Sequence, residues 1–105
     1  MDVLGEGPRP FSYFHVTMMD MHYVYFLKST STRWIYIGST NNLERRLAEH
    51  NDGKSIFTSK RGPWELIYFE AFKDERDALA RERSLKNYGS GLGKLKKRLS
   101  HSLEM

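Results

Sequence analysis

Residues 34–50 read WIYIGSTNNLERRLAEH, and two rhythms meet inside them. Trp34 to Ile37 is aromatic and β-branched, the composition of a strand, and it ends on Gly38. From there the apolar residues Leu43 and Leu47 fall at i and i+4, the spacing of one helix face. Thr40, Asn41 or Asn42 can cap that helix, because a short side-chain oxygen before the first turn accepts a backbone N–H that lacks a helical partner. The stretch is therefore a strand-to-helix corner, which serves either packing or a site. Arg46 and His50 lie one helical turn apart on it. Arg46 borders the Leu43–Leu47 stripe, whereas Arg45 and Glu49 read as a separate, solvated i, i+4 couple. Gly38 serves either as a turn glycine or as a gap through which a phosphate approaches the backbone near a helix N-terminus. Geometry alone leaves Arg46 and His50 open between surface charge and site.

Working outward, HYVYFLKS at 22–29 is a second β-prone run, joined to the first through a turn at Thr30 to Arg33. The pair reads as a β-hairpin. Alternation puts Tyr23 and Tyr25 on one face of their strand, and Trp34 and Tyr36 on one face of theirs. On the other side, Asn51 to Gly62 is a polar loop and WELIYFEAF at 64–72 a third strand. Asp74 can cap a second helix running to about Tyr88. Gly89, Gly91 and Gly93 mark a break, and LGKLKKRLS at 92–100 is a third helix. It would bury Leu92, Leu95 and Leu99 and leave Lys94, Lys96, Lys97 and Arg98 outside. The expected architecture is α/β: a small three-stranded antiparallel sheet flanked by helices, in the order β-β-α-β-α-α. Residues 1–20 read as a flexible N-terminal extension, 21–100 as the domain and 101–105 as a C-terminal tail.

A chain of 105 residues holds one domain with one compact core. Without cysteine it has no disulfide framework and no thiolate metal site, which suits a reducing cytoplasm, the expected location. No run reads as a membrane span or a signal peptide. The net charge is +4 at a pI near 9.4. The first twenty residues and the last five are acidic on balance, so the positive excess sits in the domain. Such a domain either meets a polyanion, most often nucleic acid, or is simply a soluble basic protein.

Glu82 is the most informative single position. The second helix is expected to bury Ala78, Leu79 and Leu85, and Glu82 lies three or four positions from each. A carboxylate in an apolar stripe is costly unless it is paired, binds a metal, or reaches water at the stripe's edge. Phosphodiester hydrolysis asks for an activated water, a group that stabilises negative charge on phosphorus, and help for the leaving oxygen. One carboxylate with waters can hold Mg²⁺, an arginine can clamp phosphate, and a tyrosine of lowered pKa can accept a proton. The chain has a candidate for each role.

Taken in order, YVY at 23–25, YIG at 36–38, LERRLAEH at 43–50 and ARERSLKNY at 80–88 resemble the signature of the GIY-YIG nucleases, most closely their small single-domain bacterial branch. The resemblance spans about residues 22–99. It implies a GIY-YIG-like fold and a divalent-metal-dependent endonuclease that hydrolyses DNA, structure-selective or weakly sequence-specific, of use in repair or recombination. It implies Tyr25 as the general base and Tyr36 as its assistant. Gly38 keeps the cleft open, and Arg46 is the catalytic arginine. His50 supports proton transfer or phosphate contact, and Glu82 holds one Mg²⁺ or Mn²⁺ ion. Tyr23 departs from the signature by standing where the first motif has glycine, and Asn87 is given no role. No second DNA-binding domain is read in the chain. Contact with DNA or RNA would fall to Lys54, Lys60 and Arg61 in the loop and to Lys94, Lys96, Lys97 and Arg98 at the end. The protein itself would be a monomer or weak dimer. The rival reading is a non-catalytic nucleic-acid-binding adaptor on a nuclease fold.

Overall fold

The computed structural model describes residues 20–87 and 90–104. Strand β1 is His22–Ser29 and β2 is Ile35–Thr40. Helix α1 is Leu43–Asn51, β3 is Trp64–Phe72, α2 is Glu75–Lys86 and α3 is Ser90–Arg98. The expected order β-β-α-β-α-α and the three-stranded antiparallel sheet are what the structure contains. Most of the N-terminal extension, Tyr88, Gly89 and Met105 lie outside the described residues.

The sheet order is β2-β1-β3, with β1 in the middle and antiparallel to both neighbours. The sequence of β1 explains its place. From Tyr23 to Ser29 every residue is buried, because both faces of a central strand are covered. Val24 and Phe26 point to the layer of α2 and α3, where they pack with Ala78, Leu85, Leu92 and Leu95. Tyr25 and Leu27 point the other way, to Trp64 and the Leu43–Leu47 stripe of α1. The single expected core is thus divided by the sheet into two clusters, one on each face. A bulge where β1 passes from Phe26 to Leu27 shifts the register against β3. It lets the consecutive residues Ile67 and Tyr68 both pack on the α2–α3 side.

Both helix caps follow the sequence. The Asn42 side chain accepts the Arg45 N–H at 3.0 Å, and Asp74 accepts the Arg76 N–H at 2.8 Å. Three local expectations change. Trp34 falls outside β2 and is 48% exposed. Leu79 is exposed rather than buried, at the rim of a polar cavity. Gly91 and Gly93 lie inside α3 instead of breaking it, since Leu92 and Leu95 anchor that turn in the core. Among the described residues no helix is long and apolar enough to cross a membrane.

Candidate active site

Tyr25 of β1 stands opposite Gly38 of β2. A Cβ at position 38 would lie 2.6 Å from the Tyr25 hydroxyl oxygen and 2.8 Å from its Cζ. The phenol therefore lies across β2 in the space that glycine leaves empty. The gap read in the sequence as room for a phosphate is filled by Tyr25 itself.

The hydroxyl meets Nε2 of His50 at 2.9 Å, and Nδ1 of His50 meets the Thr58 hydroxyl at 2.7 Å. Thr58 in turn faces the Ser55 carbonyl at 3.5 Å, which leaves its oxygen to accept from Nδ1–H and leaves Nε2 to accept from Tyr25. The result is a directed chain, Tyr25 to His50 to Thr58. Burial pushes His50 down to about 4, and the charge of Arg46 acts in the same sense, so the ring is neutral at physiological pH. Burial also pushes Tyr25 up to about 12; a hydrogen bond from Arg46 opposes this, while Tyr36 and Glu82 add to it. This corrects the expectation of a tyrosine of lowered pKa: the resting group is a neutral phenol that donates to histidine. Tyr36 completes the cluster, its ring 4.8 Å from that of His50 and 6.3 Å from that of Tyr25.

Arg46 approaches from α1. Its Nη1 holds Oε1 of Glu49 at 2.8 Å, whereas Nε of Arg45 stays 3.8 Å from the same carboxylate. Glu49 is thus chiefly the partner of Arg46, not of Arg45 as the spacing suggested. With its guanidinium fixed from behind, Arg46 lines a polar cavity of about 450 Å³ together with Arg45, Ser39 and Thr40.

Glu82 comes from α2, on the opposite face of the sheet. Its side chain is 17% exposed, and both carboxylate oxygens are held. The Ser39 hydroxyl donates to Oε1 at 2.8 Å, and Nζ of Lys86 lies 2.7 Å from Oε2. Glu82 is therefore neither unpaired nor free in water. Ser39 shares the β2 face of Ile35 and Ile37, whereas Tyr36 and Gly38 look to α1. The two halves of the site meet around the edge strand β2, and the charge of Glu82 is felt at Tyr25. Among the described residues no three His, Cys, Asp or Glu side chains gather as a metal cluster. A cation here would have Glu82 as its one protein carboxylate and water for the rest, which suits Mg²⁺. The ammonium of Lys86 already marks the position as one that accepts positive charge, and a metal ion must displace it.

The basic residues divide between the loop and two hollows. Lys54 and Lys60 are exposed in the loop. Arg61 lies over the rings of Trp34 and Phe57, at 4.9 and 4.4 Å from their centroids. Lys96 faces a groove shared with Lys86, whereas Lys94 and Arg98 line another hollow beside Arg81, and Lys97 is exposed. Ser39, Thr58 and Lys86 were missed in the sequence. Ser39 left a signal, a hydroxyl where Ile35 and Ile37 predict an apolar residue. So did Lys86, one helical turn beyond Glu82. Thr58 left none, because its partner is reached only by the folding of an irregular loop.

Residues 21–92 match the family model described as the GIY-YIG catalytic domain. A UPF0213 protein of Clostridium perfringens is 46% identical over 67 residues, which are 63% of this chain and 71% of the relative. One from Haloquadratum walsbyi is 42% identical over 72 residues, 68% of this chain and 80% of the relative. The solution NMR structure of a UPF0213 protein from Bacillus halodurans is 30% identical, covers 75% of this chain and 84% of that one, and superposes with a TM-score of 0.46. With its motifs on adjoining elements and most of its length matched, this chain belongs to the GIY-YIG catalytic domain family, alongside the UPF0213 proteins.

Proposed function

We propose that this domain is a divalent-metal-dependent endonuclease that hydrolyses DNA phosphodiester bonds with structural rather than strict sequence selectivity, as in repair or recombination in the cytoplasm. The observation that carries the reading is the Tyr25–His50–Thr58 chain, whose Tyr25 hydroxyl also takes a hydrogen bond from Arg46, with a held carboxylate around the β2 edge. Tyr25 is too basic to rest as phenolate, so it acts as a relay. Its oxygen accepts a proton from the attacking water as its own proton passes to Nε2 of His50. Thr58 keeps Nδ1–H occupied and so keeps Nε2 available as acceptor. Arg46, braced by Glu49, faces the phosphate and stabilises the charge that develops as the water oxygen bonds to phosphorus and the ester P–O bond breaks. Glu82 would hold the Mg²⁺ or Mn²⁺ ion, which when bound supplies charge neutralisation at the phosphate and leaving oxygen. The departing oxygen takes its proton from solvent.

Branched, flapped and single-stranded DNA incubated with Mg²⁺ tests this reading. Wild type should cleave, and Glu82→Ala and Arg46→Ala should lose at least about a hundredfold in rate, the scale of losing one charge-stabilising group. Equal cleavage by all three would place the activity elsewhere. A second reading follows from Lys86, which satisfies Glu82 internally: a non-catalytic adaptor that binds DNA or RNA. It predicts binding that weakens steeply with salt and no metal-dependent turnover in the same assay.

A further inference from the structure

Tyr36 leads out of the cleft into a second hollow of about 460 Å³. Part of its wall is aromatic: Trp34 and Phe57 meet edge to face at 5.5 Å, and Phe57 lies 5.9 Å from Tyr36, beside the aliphatic Ile35, Ile37, Leu85 and Leu92. Trp34 is 48% exposed and Phe57 41%, although side chains of this kind are ordinarily among the most buried. Arg61 fixes the pair from outside, stacking over both rings and donating to the Phe57 carbonyl at 2.6 Å. Two further cations, Lys86 and Lys96, line the same hollow, with Nζ of Lys86 5.8 Å from the centroid of the Tyr36 ring. Flat π surfaces beside positive charge match an unpaired nucleotide, which offers a base face and a phosphate together. A duplex hides its base faces and offers phosphate alone.

The hollow also shares a residue with the Tyr25–His50 cluster. Tyr36 belongs to both, touching His50 on one side and Phe57 on the other. Glu82 joins the two cavities: Ser39, which holds one of its oxygens, lines the polar cavity with Arg46, and Lys86, which holds the other, lines the aromatic one.

We propose that the Trp34–Tyr36–Phe57 groove stacks an unpaired nucleobase, which makes single-stranded DNA, or the unpaired segment of a branched molecule, the preferred ligand. The proposal rests on the nuclease reading and names the substrate class of that site. Duplex DNA is expected to bind through phosphates only.

The protein carries its own probe. Trp64 is 3% exposed, so a change in emission on ligand binding reports Trp34. The full chain, kept from cleaving by EDTA, is titrated with oligothymidylate, with an abasic strand of the same length, and with a blunt duplex. Oligothymidylate should quench the emission and bind at least about fivefold more tightly than the abasic strand, given the usual worth of one stacked base. Phe57→Ala, at an exposed position that leaves the fold intact, should raise the Kd for oligothymidylate about tenfold and leave the abasic strand and the duplex unchanged. Equal binding of all three ligands, or indifference to Phe57→Ala, overturns the proposal. So does quenching that grows with protein concentration without DNA, because a second copy then fills the groove. If the groove fails while cleavage dependent on Glu82 persists, the nuclease reading stands alone. Base-dependent quenching without any cleavage would keep the groove and remove the nuclease.

Discussion

A methyl group at position 38 is the smallest change that reaches the centre of the site. It would sit 2.6 Å from the Tyr25 hydroxyl and 3.0 Å from the Tyr36 ring, so both phenols must move. Gly38→Ala should cost about 1–3 kcal/mol by overpacking and abolish cleavage, yet keep the affinity for duplex DNA, which depends on phosphate contacts and so on charge. Thermal melting and a filter-binding assay separate the effects, and full activity in the variant would show that Tyr25 need not lie over β2. His50 sets the pH response. Its folded pKa, about 4, lies below the ordinary 6.5 because the buried ring resists charging. Between those values the unfolded chain takes up a proton that the folded one refuses, so stability falls as pH drops through 6.5 and levels off near 4. Melting temperatures of wild type and His50→Gln from pH 7 to 4 check this: the variant should lose that part of the slope, and parallel curves would rule it out. Tyr25, Tyr36, Arg46, His50 and Glu82 were singled out through the ordered motifs of the resemblance, and the structure gathers Tyr25, Tyr36 and His50 in one cluster and bonds Glu82 to Ser39 of β2. Ser39 and Thr58 were not assigned, since a hydroxyl looks the same in a sequence whether it faces water or a carboxylate.

Between elements, a single side chain does the work of a backbone. Asn51, at the end of α1, accepts the Trp64 N–H at 2.7 Å and donates to the Trp64 carbonyl at 3.1 Å. It ties the helix that carries Arg46 and His50 to the first residue of β3, with the whole intervening loop as the closed segment. Asn51→Ala should leave both backbone groups without their protein partner and cost about 1–3 kcal/mol. It should also raise amide exchange in the loop that presents Phe57 and Thr58; unaltered exchange there would mean that the loop is held by other contacts. The strands, Trp34 apart, and the Asp74 cap could be read directly, and the cap of α1 was narrowed to three residues of which Asn42 is the one, since alternation and capping chemistry are local. The course of α3 could not. Gly91 and Gly93 have poor helix propensity, and only the packing of Leu92 and Leu95 against β1 and α2 overrides it.

At the scale of the whole molecule, one sheet separates two cores. The division was invisible in the sequence because β1, buried on both faces, shows an unbroken apolar run instead of an alternation. Leu85, fully buried beneath α2, and Leu27, buried on the α1 side, test how far the halves are coupled. Each Leu→Ala change should cost about 2–5 kcal/mol. With a shared central strand, both should move a single cooperative urea transition; two separate transitions in either variant would show that the faces melt independently. The last consequence belongs to Lys86. Its ammonium is a resident counter-ion for Glu82, so the folded protein carries no stranded charge when divalent ions are scarce. On the proposed metal-dependent reading, folding would thereby be uncoupled from metal supply. Lys86→Met should restore the coupling: melting a few degrees below wild type in EDTA and regaining the difference with Mn²⁺, with an affinity for that ion above wild type. Equal Mn²⁺ shifts in both proteins would show that the lysine holds no such post.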